Sequence, residues 1–208
     1  KQNPPRCINV KKAYDLPVAN IDQFSAESLL VIKKPPVASP SVQPVSIGGQ
    51  SNYMDTRFIS FAYRYRYADG EYSATSQWSA VSFVPQQFGF TDDSFLNTGM
   101  QNSCNGAVVT YNSGGPLVVG IDLLFKQADG NIINVIEKIT KSTAGMSDDT
   151  DYSYTFSNSK IFTILSEGEI LRLYDNVPLY ADAQTLMGNR IMYGAYVDGR
   201  NLIDKYGL

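Results

Sequence analysis

The chain has no histidine in 208 residues. That absence removes every Ser-His-Asp and Cys-His nucleophile system and every histidine-ligated zinc or iron centre. Cysteine is nearly absent too. Cys7 and Cys104 are the only two, and two thiols cannot close a four-ligand zinc site. A disulfide between them is open, but two buried thiols are the preferred reading. No apolar run reaches the ~18 residues that span a bilayer as a helix, and no signal peptide leads the chain, which opens Lys1-Gln2-Asn3-Pro4-Pro5-Arg6. With no initiator methionine either, the sequence reads as a fragment or processed product of something longer. Long basic runs are missing. Lys11-Lys12 and Lys33-Lys34 are the densest basic spots, and 17 basic against 20 acidic residues leave a net charge of -3. There is no phosphate-tracking stripe and no strong nucleic-acid signal, although a ring of such subunits could line a channel. A P-loop, a dinucleotide-binding glycine pattern and a nucleophile elbow are all missing.

What is present is apolar and aromatic. Apolar residues make up 43% of the chain, with 14 tyrosines and 10 phenylalanines, enough to build a buried core. The clearest element is Phe58–Tyr67. Phe61, Tyr63, Tyr65 and Tyr67 fall on one face and Ala62, Arg64 and Arg66 on the other. This period of two predicts a strand with an aromatic core face and a basic, solvated face. Asp69-Gly70 then predicts a tight turn, and Trp78–Phe83 reads as an alternating return strand. Further strands are predicted over 107–111, 118–126, 132–139, 152–156 and 190–197, with a second Asp-Gly turn at Asp129-Gly130. Residues 86–105 read as a long polar connection. Short helices are predicted over 26–32, ended by Pro35-Pro36, and over 181–187, capped by Gly188.

Three groups of residues invite a chemical reading. Asp148, Asp149 and Asp151 form an oxygen-rich loop that suits calcium, but the spacing fits no EF-hand and a solvated acidic loop is the default. Asp92-Asp93 is a lesser case of the same kind. Glu167 and Glu169 lie two apart, as a glycosidase-like pair would not, since such carboxylates face each other across a cleft from different elements. Tyr63, Tyr65 and Tyr67 with Trp78 could form an aromatic platform for sugar or nucleic acid. An alternating stripe of this kind is more often the inner face of a sandwich, so Phe61, Tyr63, Tyr65, Trp78, Ile121 and Leu123 are assigned to the structural core. No catalytic residue, cofactor site or metal ligand is assigned, and the chain is expected not to be an enzyme.

The segment Phe61–Phe83 (FAYRYRYADGEYSATSQWSAVSF) resembles a fibronectin type III-like hairpin. It also resembles a passage in the tail nozzle or muzzle proteins of crAss-like phages and in related tail proteins of short-tailed phages. Three further stretches carry the same resemblance. They are Asn9–Asp15 with Lys33-Lys34-Pro35-Pro36, then Gly120–Lys126, and finally Tyr174–Pro178 followed by Gly188–Gly194. The resemblance implies a non-enzymatic virion protein of the phage tail. Such a protein assembles with copies of itself in a ring and with other tail or portal-adaptor proteins, and it needs no cofactor. The alternative is a bacterial surface or secreted fibronectin-like module that binds glycan or protein.

The expected fold is all-β, an immunoglobulin or fibronectin type III-like sandwich in two units over 37–85 and 105–170, joined by a linker over 86–104. Residues 1–36 form an irregular flank with a short helix, and 171–208 begin a neighbouring β domain. Ile8, Val10, Tyr14, Leu186, Ile191 and Tyr193 give the flanks apolar side chains with little local partner structure. The flanks are therefore expected to pack on each other or on another chain.

Overall fold

The computed structural model describes residues 4–8, 26–90, 95–128, 130–170, 177–188 and 190–197. It divides into two compact units, Pro35–Leu173 and a second made of both flanks, Lys1–Lys34 with Tyr174–Leu208. The larger unit is an all-β sandwich. Strands β1 (Ser41–Val45), β3 (Gly106–Asn112) and β6 (Asp151–Phe156) form one antiparallel sheet in the order β1-β3-β6. Strands β2 (Ile59–Tyr67), β4 (Val118–Gln127), β5 (Ile133–Thr140) and β7 (Thr163–Ile164) form the other, in the order β2-β4-β5-β7.

The expectation of two successive sandwich units is corrected by this pairing. β1 pairs with β3 and β2 with β4, so the two stretches interleave into one sandwich. The 37–85 stretch supplies only β1 and β2, one to each sheet, and so cannot form a buried face of three or more strands by itself. The core joins both sheets. Ile59 and Phe61 of β2 meet Ala107 and Val109 of β3, Phe125 of β4 and Phe156 of β6. Beside them Tyr63, Tyr65, Tyr111, Val118, Ile121 and Leu123 form a tyrosine-rich cluster. Phe61, Tyr63, Tyr65, Ile121 and Leu123 are all buried, as the alternation predicts. Trp78 is half-buried on the opposite face of the same sheet, against Ala62, Leu124, Ile133, Val135 and Leu165.

That outer face is not the solvated basic surface the alternation suggests. Arg64 is 4% exposed. Its guanidinium donates twice to Asp122 Oδ2, at 3.1 and 3.0 Å, directly across the β2–β4 ladder. A third nitrogen reaches Glu169 Oε1 at 3.3 Å, and the Tyr72 ring lies 4.0 Å away. A charge can be buried here because paired carboxylates and a π-face replace water. The covering segment 72–83 hides this face.

The same segment solves the edge of β2. The expected return strand over Trp78–Phe83 is not a strand. Instead Ser73, Ser76, Ser79 and Ser82 each donate a backbone N–H to β2, at the carbonyls of Tyr65, Tyr63, Phe61 and Ile59 (2.8–2.9 Å). In the first three, the hydroxyl accepts the N–H of the same β2 residue, at 3.0, 3.1 and 3.0 Å. Each hydroxyl then donates to the next carbonyl of its own segment, Ala74, Gln77 or Ala80. Three residues of this strap thus span two of β2. A strand advances about 6.7 Å over two residues, so the strap rises only ~2.2 Å per residue, like a β-bulge repeated at every rung. Side-chain oxygens stand in for the backbone acceptors that this contraction misaligns. The turn before the strap is the expected one, with Gly70 at φ 84 and its N–H donated to Tyr67 O. At the second Asp-Gly pair Gly130 N donates to Gln127 O, while Asp129 lies outside the described residues.

The flank unit holds a short 3-10 helix over Ala26–Leu29 and an antiparallel hairpin of β8 (Tyr180–Met187) and β9 (Arg190–Val197). β8 replaces the expected helix over 181–187. Gly188, read as a helix cap, is instead a hairpin-turn residue at φ 62. Among the described residues no helix is long and apolar enough to cross a membrane.

Two tests follow from this core. Ser76→Ala leaves the buried Tyr63 N–H unpartnered and is expected to cost about 1–3 kcal/mol in urea unfolding, whereas Gln77→Ala on the exposed side of the strap stays within about 0.5 kcal/mol. Equal effects would show that the hydroxyls are bystanders. The second test uses alkali. Burial pushes the Tyr111 phenol up to about 12 and also raises Tyr65, Tyr63 and Tyr154. The native state holds these protons more tightly than the unfolded chain, whose phenols ionise near about 10. Their stabilisation is full below about pH 10 and is lost as pH climbs through the folded values. Stability should therefore be flat up to that point and then fall. Ultraviolet titration should show a class of tyrosines that ionises only as the chain unfolds.

Candidate interaction surface

Residues 84–90 and 95–103 leave the sandwich as two antiparallel legs of an arm, in place of the expected linker. Pro85 bridges Asn102 and Phe90 bridges Asn97. Gln86 N donates to Gly99 O at 3.2 Å, Thr98 N to Gly89 O at 2.9 Å and Ser103 N to Val84 O at 2.9 Å. On the returning side a 3-10 turn, Thr98–Met100, is capped by Asn97, whose side chain accepts Gly99 N. Gly99 is required at that point, since a Cβ there would lie 2.9 Å from Asn97 Oδ1 and 3.2 Å from Gln86 O.

The arm is polar along its backbone and apolar at its surface. Phe88, Phe90 and Phe95 are 74%, 56% and 79% exposed, and Leu96, Met100 and Val84 are exposed with them. Phe90 and Phe95 touch edge to face, with centroids 6.2 Å apart. Phe95 sits at φ 53, a left-handed conformation that costs energy for an aromatic residue. A strained and exposed ring does not stabilise this chain by itself.

Asn102 fixes the arm to the body. It is fully buried. Its Oδ1 accepts Val84 N at 3.0 Å and Cys104 N at 3.3 Å, and its Nδ2 donates to Ser82 O at 3.2 Å. Its backbone N–H goes to Asp55 O, and its carbonyl accepts Asn52 Nδ2. Its side chain thus joins the end of the serine strap to both legs of the arm, and its backbone ties them to the 52–55 loop. The sequence signal for this was slight, a lone Asn in a polar stretch between Gln101 and Ser103.

The residues singled out from sequence fall elsewhere. Asp148 pairs with Lys141 Nζ, which also donates to Gly114 O and Gly115 O at 3.1 Å. Asp151 Oδ1 accepts from Asn112 Nδ2, and Asp149 turns through φ 49 with its N–H on Gly114 O. In this loop, weighed as a weak calcium candidate, the cation at Asp148 is Lys141, and Asp151 turns to Asn112. Among the described residues no three His, Cys, Asp or Glu side chains converge as a metal site. Glu169 is held by Arg64 and by Ser166 Oγ, while the Glu167 side chain and Asp92-Asp93 lie outside what is described. Cys7 is an exposed free thiol and not the expected buried one; Cys104 is half-buried and also free. The aromatic stripe divides, with Tyr63 and Tyr65 inside the sandwich and Trp78 outside it with Lys126 Nζ 4.5 Å over its ring.

No known family, curated protein or solved structure matches this chain.

The Asn102 junction generates a test. Asn102→Ala strands two backbone donors and one carbonyl and is expected to cost about 2–4 kcal/mol, at the upper end for unmade buried hydrogen bonds. Hydrogen exchange should quicken in 84–103 far more than in β2 or β4. Uniform loss of protection would mean that the arm is not a separate element.

Proposed function

We propose that the chain is a non-enzymatic structural component of a virion, a tail nozzle or muzzle piece of a short-tailed phage, working through protein–protein contacts. The observation that carries this reading is the anchored arm. Evenly exposed Phe, Leu and Met side chains on a rigid base make a contact surface, and soluble monomers rarely leave such a patch uncovered. The β8–β9 hairpin adds a second such surface. Leu186, Met187, Ile191, Met192 and Tyr196 are exposed on it, and a two-stranded hairpin is marginal without a cover. The resemblance of Phe61–Phe83 and the three flanking stretches to nozzle proteins supplies the particular assembly: copies of the chain in a ring, beside other tail or portal-adaptor proteins. Its location would then be the tail of the virion, assembled in the host cytoplasm.

Electron-microscopic imaging of the full-length protein tests this. A symmetric ring is expected. A monodisperse monomer with a ligand-filled cleft would sink the reading in favour of a glycan- or protein-binding surface module.

A further inference from the structure

We infer that β6 is a pairing edge, and that two copies of the chain join β6 to β6, antiparallel, about a two-fold axis at Ser153. The inference goes beyond the tail reading and does not rest on it, since a two-fold contact closes on two copies and builds no ring by itself.

The first support is how the edges are treated. The sandwich has four. The serine strap occupies that of β2, β1 carries Pro44, and β7 is two residues long. β6 has none of these devices. It runs Asp151–Phe156 with no shift of register and no proline, glycine or lysine. An edge left in that state is a template for another strand.

The ladder fixes which groups the edge offers. Thr150 O accepts Ser113 N–H, and Thr150 N–H is donated to Ser113 Oγ, both at 2.9 Å. Bonds to β3 therefore fall on Thr150 and on every second residue after it, Tyr152, Tyr154 and Phe156, opposite Tyr111, Val109 and Ala107. Asp151, Ser153 and Thr155 aim their N–H and C=O groups away from β3. Among the described residues nothing bonds to these backbone groups.

The occupant follows from the pattern. Centred on Ser153, a second β6 sets Ser153 against Ser153 and each Asp151 against the other copy's Thr155. All three outward residues then find a rung, and no carboxylate faces another. The Asp151 carboxylate, already held by Asn112 Nδ2, is met by a threonine hydroxyl that can donate to it. Centring on Tyr152 or Tyr154 matches only two of the three within the strands. Centring on Asp151 sets like charges face to face. The Ser153 register also puts Tyr152 opposite the other copy's Tyr154. Both rings lie on the core side of β6 and are only half-buried, so the second copy gives each an aromatic neighbour. The three-stranded sheet becomes one continuous sheet of twice the width, with both core faces on the same side.

Sedimentation equilibrium of the chain, with hydrogen exchange across a concentration series, tests this. A monomer–dimer equilibrium is expected. Exchange at the amides of Asp151, Ser153 and Thr155 should slow as concentration rises. Ser153→Pro removes an outward N–H and no bond to β3. It should weaken dimerisation by about 30-fold or more while the β3–β6 amides keep their protection. Thr155→Asp sets carboxylates opposite each other, and Thr155→Lys sets an ammonium opposite Asp151. Each change acts twice in a two-fold contact, so the first should weaken dimerisation and the second tighten it, by about 3- to 10-fold. A chain that stays monomeric throughout the series overturns the proposal. So does a dimer that leaves those three amides unprotected, or a folded Ser153→Pro chain that pairs like wild type. Equal effects of the two Thr155 changes overturn it as well, whether or not Ser153→Pro folds.

Discussion

β2 is buried on both faces, and burial leaves its backbone polar groups no water to turn to. A buried N–H or C=O without a partner costs about 1–3 kcal/mol, and the arrangement of the sandwich body follows from meeting that demand. One edge of β2 is satisfied by β4 in an ordinary antiparallel ladder. The other is satisfied by a segment that is not a strand, whose serines supply an N–H and a hydroxyl at each rung. The hydroxyl both accepts and donates, so no rung through Ser79 leaves an orphan. Ser82 is the exception. Its hydroxyl is buried without a partner, so the ladder ends on a backbone bond alone. The arm begins two residues later.

This placement links packing to presentation. The strap covers the outer face of the sheet, where Arg64, Asp122 and the Trp78 cluster lie, and closes an edge that could otherwise recruit strands from other chains. The strap runs into the Asn102 junction, and the junction holds the arm. Uncontrolled association along a sheet edge is thereby suppressed, while a chosen apolar surface is left free on a separate projection. Two of the other sandwich edges are blunted: β1 carries Pro44, and β7 is two residues long.

The legible part of the fold was the part with period two. Phe58–Tyr67, Val118–Lys126 and Ile132–Ile139 announced strands because one face of each is core, and Asp69-Gly70 announced its turn because only glycine adopts that φ without strain. What failed was non-local or of another period. Strand partners are set by which faces meet, so nothing in 37–85 reveals that β1 belongs with β3. Residues 181–187 mix Ala, Gln, Leu and Met, which favour helix, and they became a strand because β9 offered an edge. The strap escapes a count by twos, which Trp78, Ala80 and Ser82 invite. Counted by threes, Ser73, Ser76, Ser79 and Ser82 stand out at once. The arm hid inside a polar composition, since its phenylalanines are separated by Gln, Gly, Asp and Ser.

The three-to-two pitch of the strap against β2 also fixes how the segment can change in length. Removing one or two residues between Tyr72 and Phe83 would rotate every later serine out of phase and set Trp78 or Ala80 where a hydroxyl belongs. Removing three would carry one rung away and leave the others in step, provided β2 and its neighbours shortened by two. The loop-like stretch is therefore quantised. Its length is tied to that of the strand it guards, as the teeth of one gear are tied to those of another.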